Sequence, residues 1–165
     1  MTEETVSLEL TREADLDFVL RVEVDPENSP HIGSWSWDEH VAAIVSPAFW
    51  HALILEDGTP QGYLIARNLC AEGRGVFLKR IAVLAKGSGL GRQAISQFIQ
   101  SLGSFAPSHI WLAVDVENAR ARRVYEKLGF TEMALSDKER ADLEAAVDGF
   151  PDHSLLMVRF MNWSL

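Results

Sequence analysis

The chain has 165 residues, and its hydrophobic share of 47% and charged share of 24% are typical of a globular domain and exclude a disordered chain. A formal net charge of −9 disfavours nucleic acid as a partner, and a single cysteine excludes an internal disulfide and a thiolate-rich metal site. No apolar run reaches the length of a membrane span, and the acidic first residues lack the pattern of a secretory signal. We therefore expect one domain over residues 1–165 that is cytoplasmic and binds no membrane.

The first elements follow from hydrophobic periodicity and capping signals. Alternating apolar residues predict a strand over about residues 5–10. Thr11 is the expected N-cap of the next helix, which ends before Pro26. The segment Ser36-Trp37-Asp38-Glu39 has the pattern of a capping box and is predicted to open a second helix that runs to Val45.

The middle of the chain is predicted to form a meander of strands followed by a helix. The strands are predicted over residues 49–55, 61–69 and 76–84, with a turn at 57–60. A glycine-rich loop over residues 86–91 then leads into a helix with apolar residues at helical spacing, which Pro107 terminates.

The last third alternates between strands and helices. The predicted strands cover residues 109–116, 130–135 and 154–161, and the predicted helices cover residues 118–128 and 137–147. Helices interleaved with strands in this way predict an α/β layer fold around one sheet.

Basic residues concentrate in the middle of this acidic chain. Residues 74–127 contain nine lysines and arginines but three acidic side chains. A basic segment in an acidic chain indicates a local anion site. Chance clustering on solvated helix faces is the alternative.

The loop between the third meander strand and its helix has the composition of a phosphate-binding loop. Glycines allow positive φ and a close approach of the backbone to a ligand. The unpaired N–H groups at the start of a helix, together with the helix dipole, favour a pyrophosphate there. The loop consists of Lys86, Gly87, Ser88, Gly89, Leu90, Gly91 and Arg92.

The loop differs from two other phosphate-binding patterns. The P-loop pattern, which needs a Gly-Lys-Ser/Thr ending, is absent. A dinucleotide-binding pattern would use Gly87 and Gly89, but Arg92 occupies its third glycine position. Since Asp115 ends a strand some twenty residues later, an NAD-binding oxidoreductase of the Rossmann type stays open as a distant alternative.

Two motifs in register resemble the GNAT superfamily of acetyl-CoA-dependent N-acetyltransferases. Lys86-x-x-Gly89-x-Gly91 is similar to the first half of the family signature, and Asn118-x-x-Ala121-x-x-x-Tyr125-x-x-x-Gly129-Phe130 is similar to the second half. The resemblance implies a seven-stranded, mostly antiparallel sheet with helices on both faces. Residues 29–35 and 78–81 look closest to the bacterial branch that includes ribosomal-protein N-terminal acetyltransferases.

The resemblance also implies the reaction. Acetyl-CoA would give its acetyl group to a primary amine, of a small molecule or a protein N-terminus, through a tetrahedral intermediate and without a metal. The backbone of Ile81, Ala82 and Val83 would pair with the pantetheine arm, and an N–H near Val83 would stabilise the oxyanion. The residues at 86–92 would bind the pyrophosphate, and Asn118, Ala121 and Tyr125 would also contact the cofactor.

Tyr125 is the candidate general acid, because a phenol can protonate the departing CoA thiolate. A core aromatic at helical spacing is the alternative. The general base stays unassigned, because Phe77 stands where relatives often carry a glutamate. Asp115 and Glu117 are the substitute candidates, and a chain of water molecules is another.

The acceptor amine is expected between the 25–37 loop and the 136–153 connection. His31, Trp35 and Trp37 are the candidate substrate-binding residues, because aromatic rings hold cations and flat groups. Packing that closes a two-helix lid is the alternative role of these rings. A homodimer stays open, and the missing strand glutamate leaves a catalytically silent acyl-CoA-binding module as the rival of the enzyme.

Overall fold

The computed structural model describes residues 5–69, 75–147, 150 and 153–162. Cys70, Arg74 and part of the 136–153 connection lie outside them. The strands are β1 (Val6–Leu10), β2 (Phe49–Glu56), β3 (Thr59–Arg67), β4 (Val76–Val83), β5 (His109–Asp115), β6 (Thr131–Glu132) and β7 (Ser154–Phe160). The helices are α1 (Leu16–Glu23), α2 (Trp37–Val45), α3 (Leu90–Ser101), α4 (Ala119–Lys127) and α5 (Asp137–Ala146), with short 3₁₀ turns at 13–15 and 102–104.

The seven strands form one mixed sheet in the order β1-β2-β3-β4-β5-β7-β6. Every neighbouring pair is antiparallel except β4 and β5, which run parallel. Among the described residues, these two strands pair only at Val76 with Ile110 and at Phe77 with Trp111. Beyond Phe77 the strands part, so the sheet opens into a cleft at its centre. The expected α/β fold with a mostly antiparallel seven-stranded sheet is confirmed.

A bulge in β4 sets which side chains face the cleft. Ile65 pairs with Arg80 and the next residue, Ala66, pairs with Leu78, so Lys79 is the extra residue. A bulge turns two consecutive side chains toward one side of the sheet. Lys79 lies over the ring of Trp35, and Arg80 bonds to Glu23, so both contact the side of the sheet that carries α1 and α2.

The sheet has a hydrophobic core on each face. On one face, which we call the α3/α4 face, Leu78, Leu112 and Tyr125 pack with Phe98. On the opposite face, which we call the α1/α2 face, Leu16 and Val19 of α1 pack on β2 and β3, and a smaller cluster packs around Phe77, Trp111 and Val147. Helices therefore cover both faces of the sheet. The cleft between β4 and β5 passes from one face to the other.

Three local predictions are corrected by the structure. Thr11 is not a helix N-cap, because its hydroxyl bonds to His51 at 2.8 Å and α1 begins only at Leu16, after a 3₁₀ turn. The turn after β2 has two residues rather than four, since Asp57 and Gly58 both adopt positive φ and the pairing resumes at Thr59. The strand predicted at 130–135 is reduced to β6, because the chain leaves the edge of β7 after two residue pairs.

The capping box of α2 is confirmed. The Glu39 amide donates to the Ser36 hydroxyl at 3.2 Å, and the Ser36 amide donates to the Glu39 carboxylate at 2.6 Å. This cap fixes where the loop after α1 ends, and that loop borders the cleft. No helix in the described part of the chain combines the length and the apolar character needed to cross a membrane.

Candidate active site

The parting of β4 and β5 produces a cavity of about 1140 Å³ that reaches both faces of the sheet. Its walls come from β4 between Phe77 and Val83 and from the end of β5 between Ala113 and Asp115. The loop at 85–92 and α4 border it on the α3/α4 face, and the loop after α1 borders it on the other. Two molecules can therefore enter from opposite sides and meet between the strands.

The glycine-rich loop presents backbone amides to this cavity. Gly87 and Gly89 have φ of 76° and 83°, a conformation that residues with a Cβ rarely adopt. The first intrahelical bond of α3 runs from Gln93 N–H to Gly89 O at 3.1 Å, so the amides of Gly91 and Arg92 have no acceptor within the helix. A Cβ added at Gly91 would meet no atom within 4 Å, so packing does not require this glycine. The loop thus fits a pyrophosphate.

Ser88 and Lys86 have local partners within the protein. The Ser88 hydroxyl donates to Ala85 O at 3.0 Å, and Ser88 does not line the cavity. The Lys86 ammonium donates to the Asn28 side chain. Burial lowers the pKa of Lys86, while the acidic side chains at 25 and 27 oppose that shift. Lys86 therefore links the glycine-rich loop to the loop after α1.

Asn28 is a residue that sequence reasoning missed. It is 2% exposed, and its amide donates to Val22 O at 3.1 Å and to Val83 O at 3.3 Å. An asparagine between two prolines has the pattern of a turn former, so nothing in the sequence indicated these contacts. Asn28 holds the loop after α1 against the cleft end of β4.

The end of β4 presents a backbone donor to the cleft. The Leu84 N–H donates to Gln61 O of the β2–β3 side at 2.8 Å. Because successive N–H groups of a strand point to opposite edges, the N–H of Val83 points to the cleft. Ile81, Ala82 and Val83 all line the cavity. This geometry suits an extended ligand beside β4 and a donor for an oxyanion.

Tyr125 lies on the α3/α4 face of the cleft. It is 9% exposed, packs edge-on against Phe130 at 5.8 Å and lines the cavity together with Ala121. Burial raises the pKa of Tyr125 to about 12, so the phenol stays protonated at neutral pH. Asn118 also lines the cavity while its side chain caps α4 by accepting from the Ala121 amide at 3.2 Å.

The other candidate residues separate into two groups. His31, Asp115 and Glu117 line the cavity. Trp35 and Trp37 do not line it. Trp35 packs against His40 and Phe49, at ring distances of 5.3 and 6.0 Å, and the Arg80 guanidinium covers its ring at 5.1 Å, so its contacts are those of a lid residue.

A buried polar network supports the α1/α2 side of the cleft. Glu23, which is 2% exposed, accepts from Arg80 at 2.7 Å, from Tyr63 at 2.9 Å and pairs with His40 at 2.8 Å. Burial alone would raise the pKa of Glu23, but the hydrogen bond and charge of His40 and the charge of Arg80 outweigh burial and lower it. The ionised Glu23 therefore fixes Arg80, whose side chain borders the cavity.

Phe77 occupies the β4 position at which the family resemblance led us to expect a glutamate. Its ring is buried and stacks on Trp111 at 4.2 Å. This aromatic stack lies where β4 and β5 still pair, so it closes the inner end of the cleft. Within the described residues, no group of three or more His, Cys, Asp or Glu side chains could hold a metal ion.

A mixed sheet that parts between its two parallel strands, with a glycine-rich loop on one face and a second opening on the other, has room for two ligands that meet between the strands. The chain matches the Acetyltransferase (GNAT) family over residues 10–130. It belongs to this family and is an acetyltransferase. The residues that match include both motifs of the cleft.

Solved structures share this fold at low sequence identity. The ribosomal-protein-S18-alanine N-acetyltransferase from Escherichia coli is 19% identical, with 98% of this chain and 97% of that chain covered and a TM-score of 0.70. A spermidine N-acetyltransferase mutant from Vibrio cholerae is 20% identical, with 94% and 93% covered and a TM-score of 0.72. N-acetylglutamate synthase from Neisseria gonorrhoeae, complexed with coenzyme A and N-acetyl-glutamate, is 17% identical, with 98% and 36% covered and a TM-score of 0.73. A search of curated protein sequences found no match.

Proposed function

We propose that this chain transfers an acetyl group from acetyl-CoA to a primary amine, of a small molecule or a protein N-terminus, by direct attack. The observation that carries this proposal is the cleft between β4 and β5, because it gives the two substrates separate entrances that meet between the strands. The diphosphate would rest on the amides of Gly91 and Arg92, and the pantetheine arm would extend along Ile81 to Val83.

The residues of the cleft have complementary roles in this reaction. The Val83 N–H donates to the carbonyl oxygen as it becomes an oxyanion, and one such preorganised donor contributes roughly 3 kcal/mol to the transition state. Tyr125 gives its phenolic proton to the departing thiolate, since its raised pKa keeps that proton available. Members of the family use acetyl-CoA, which supports this choice of donor.

The test is release of free thiol from acetyl-CoA in the presence of a panel of primary amines and N-terminal peptides. We expect turnover by the unmodified protein and a fall in kcat of about 100-fold for Tyr125→Phe, because the general acid is lost. The affinity for CoA should stay within a few-fold. Phe130→Leu is the matched control, since it removes a buried ring beside Tyr125 without removing a proton donor.

A second candidate is an acyl-CoA-binding module without turnover. The buried stack of Phe77 on Trp111 favours it, because an aromatic ring stands at the β4 position where a carboxylate could have acted as a base. That candidate gains support if CoA binds tightly, no amine gives turnover and Tyr125→Phe changes nothing. An NAD-binding oxidoreductase predicts thermal stabilisation by NAD, whereas acetyl transfer predicts stabilisation by CoA.

A further inference from the structure

A histidine and a carboxylate meet at the mouth of the cleft. His31 Nδ1 lies 3.3 Å from Asp115 Oδ2, although the two residues are 84 positions apart in sequence. Their side chains are 35% and 24% exposed, and both line the cavity. The pair joins the loop after α1 to the last residue of β5, so it lies where an acceptor would enter.

The pair lies on the side of the sheet opposite the candidate acid. Along β5, Leu112 and Val114 pack in the same core as Tyr125 on the α3/α4 face. Successive side chains of a strand alternate, so Asp115 faces the α1/α2 side together with Ala113. A nucleophile that approaches past His31 therefore attacks from one face, while the thiolate leaves toward Tyr125 on the other.

Asp115 is held as an ionised acceptor. Its Oδ1 accepts from the Glu117 amide at 3.0 Å, which leaves Oδ2 for His31. The backbone hydrogen bond from Glu117 and then the contact with His31 lower the pKa of Asp115. A carboxylate beside Nδ1 selects the tautomer with the proton on that nitrogen, so the lone pair of the ring is on Nε2.

Other ionisable groups near the pair are less suited to take a proton from an amine. Glu23 already accepts from or pairs with four partners, which are Arg80, Tyr63, His40 and the Trp35 amide, and it is 2% exposed. Arg80 from β4, which lines the same cavity, is a permanent cation bound to Glu23. The other charged groups of the described residues on this side are Lys79 from β4, Glu27 from the loop after α1, Glu117 from the β5–α4 connection and His153 next to β7, and His153 acts on Asp115 by its charge.

We propose that His31 is the general base that deprotonates the acceptor amine and that Asp115 positions its imidazole. This assignment rests on the proposed acetyl transfer. Nε2 of His31 takes a proton from the ammonium group and passes it to solvent, which frees the nitrogen lone pair to form the new N–C bond. His31 then takes a second proton from the attached nitrogen, the C–S bond breaks, and Tyr125 protonates the thiolate and is reprotonated from His31 through water. The products are the amide, the free thiol and one proton in solution.

The kinetic test compares His31→Gln and Asp115→Asn with the unmodified protein, using acetyl-CoA and the most active amine of the panel. His31→Gln should lower kcat/KM by about 100-fold, and Asp115→Asn by about 10-fold, while the CoA affinity of both stays within twofold. His31→Gln should change the acid side of the pH profile, so that the remaining fall in rate follows the protonation of the acceptor amine alone. Added imidazole should restore part of the rate of His31→Ala. His109→Gln, at the far end of β5, is the matched control and should retain full activity.

A second measurement needs no turnover. In ¹⁵N-labelled protein, the ring of His31 should show the tautomer protonated on Nδ1, and Asp115→Asn should abolish that preference. The Nε2-protonated tautomer, or full activity of His31→Gln while Tyr125→Phe is impaired, would overturn the base assignment and leave acetyl transfer intact. Absence of thiol release with every amine would overturn both proposals.

Discussion

Gly91 illustrates how one residue can be explained by a ligand rather than by the fold. It lies in the first turn of α3, its added Cβ would meet nothing within 4 Å, and its backbone does not need a positive φ. In a helix, alanine is more favourable than glycine by up to about 1 kcal/mol. The fold alone would therefore accept alanine here, whereas a diphosphate against the amide would not.

We predict that Gly91→Ala raises the free energy of unfolding by about 0.5 kcal/mol while it weakens CoA binding at least about tenfold. The added methyl group lowers the conformational entropy of the unfolded chain, which stabilises the folded state. It also fills the space in front of the amides, where the diphosphate would rest. Denaturant unfolding and calorimetric titration with CoA measure the two effects. Gln97→Ala, on the exposed side of α3, should leave CoA affinity unchanged, and equal affinity for Gly91→Ala would contradict the placement of the diphosphate.

The sequence predicts features that depend on neighbouring residues in the chain. It does not predict contacts between residues that are far apart in sequence. The loop at 86–92 was predicted because glycine spacing and a helix start are local signals. The contact of Asn28 with Val83 spans 55 positions and that of His31 with Asp115 spans 84. Trp35 has an aromatic side chain suited to binding, but its neighbours in space are the lid and not the cavity.

At the scale of elements, α1 and α2 are joined to the sheet by polar contacts as well as apolar ones. His40 of α2 bonds to Glu23 of α1 and, at 2.9 Å, to His51 of β2, whose other nitrogen bonds to Thr11. Charges in such a network are stabilising only while each has its partner, because removing one partner leaves an uncompensated buried charge. The element order predicted the two helices, but not that histidines would connect them.

The stability of the protein should fall on mild acidification because of His51. Burial, and then the charge of His40, lowers the pKa of His51 to about 4, whereas the unfolded chain titrates near its ordinary value of 6.5. The folded state therefore resists protonation, and stability that is fully present above pH 6.5 is lost as the pH falls toward 4. Between pH 7 and pH 5 the loss from this residue should be about 2 kcal/mol.

Denaturant unfolding at the two pH values measures this loss. In His51→Gln, the difference between pH 7 and pH 5 should shrink by about the same 2 kcal/mol, even if the variant is less stable throughout. His109→Gln is the comparison, because His109 is half-buried at the start of β5 and burial lowers its pKa. We expect this variant to change the pH dependence in the same direction by a smaller amount. An unchanged pH dependence in His51→Gln would show that this ring is not the group that titrates.

At the scale of the whole molecule, charge is divided unevenly. The chain has a formal net charge of −9, yet five basic residues line the cavity around the glycine-rich loop and α4, namely Lys86, Arg92, Arg120, Arg123 and Lys127. The opening on the α1/α2 face has both signs of charge, with Glu27, Asp115 and Glu117 beside Lys79 and Arg80 of β4. Five basic residues of the middle segment therefore lie around one opening of the cleft, a position that the sequence alone could not give.

We predict that CoA binding weakens by about tenfold when NaCl rises from about 0.05 to about 0.5 M, since partly exposed ion pairs are screened at high ionic strength. Titration calorimetry at several salt concentrations gives the slope. Arg123→Gln should reduce that slope, whereas Arg21→Gln, on α1 away from the cleft, should not. Equal salt dependences for the two variants would contradict a role of the basic residues of α4 in CoA binding.

The short pairing of β4 with β5 also leaves part of β4 without a neighbouring strand on that side. Past Phe77, one margin of β4 carries main-chain groups for which the described residues supply few partners, Asn28 on Val83 being one. An uncovered margin of this kind invites an extended segment of another polypeptide to add itself as a further strand. If acetyl-CoA binds as proposed, its pantetheine arm would cover this margin, so coenzyme binding would also oppose strand pairing between two copies of the chain.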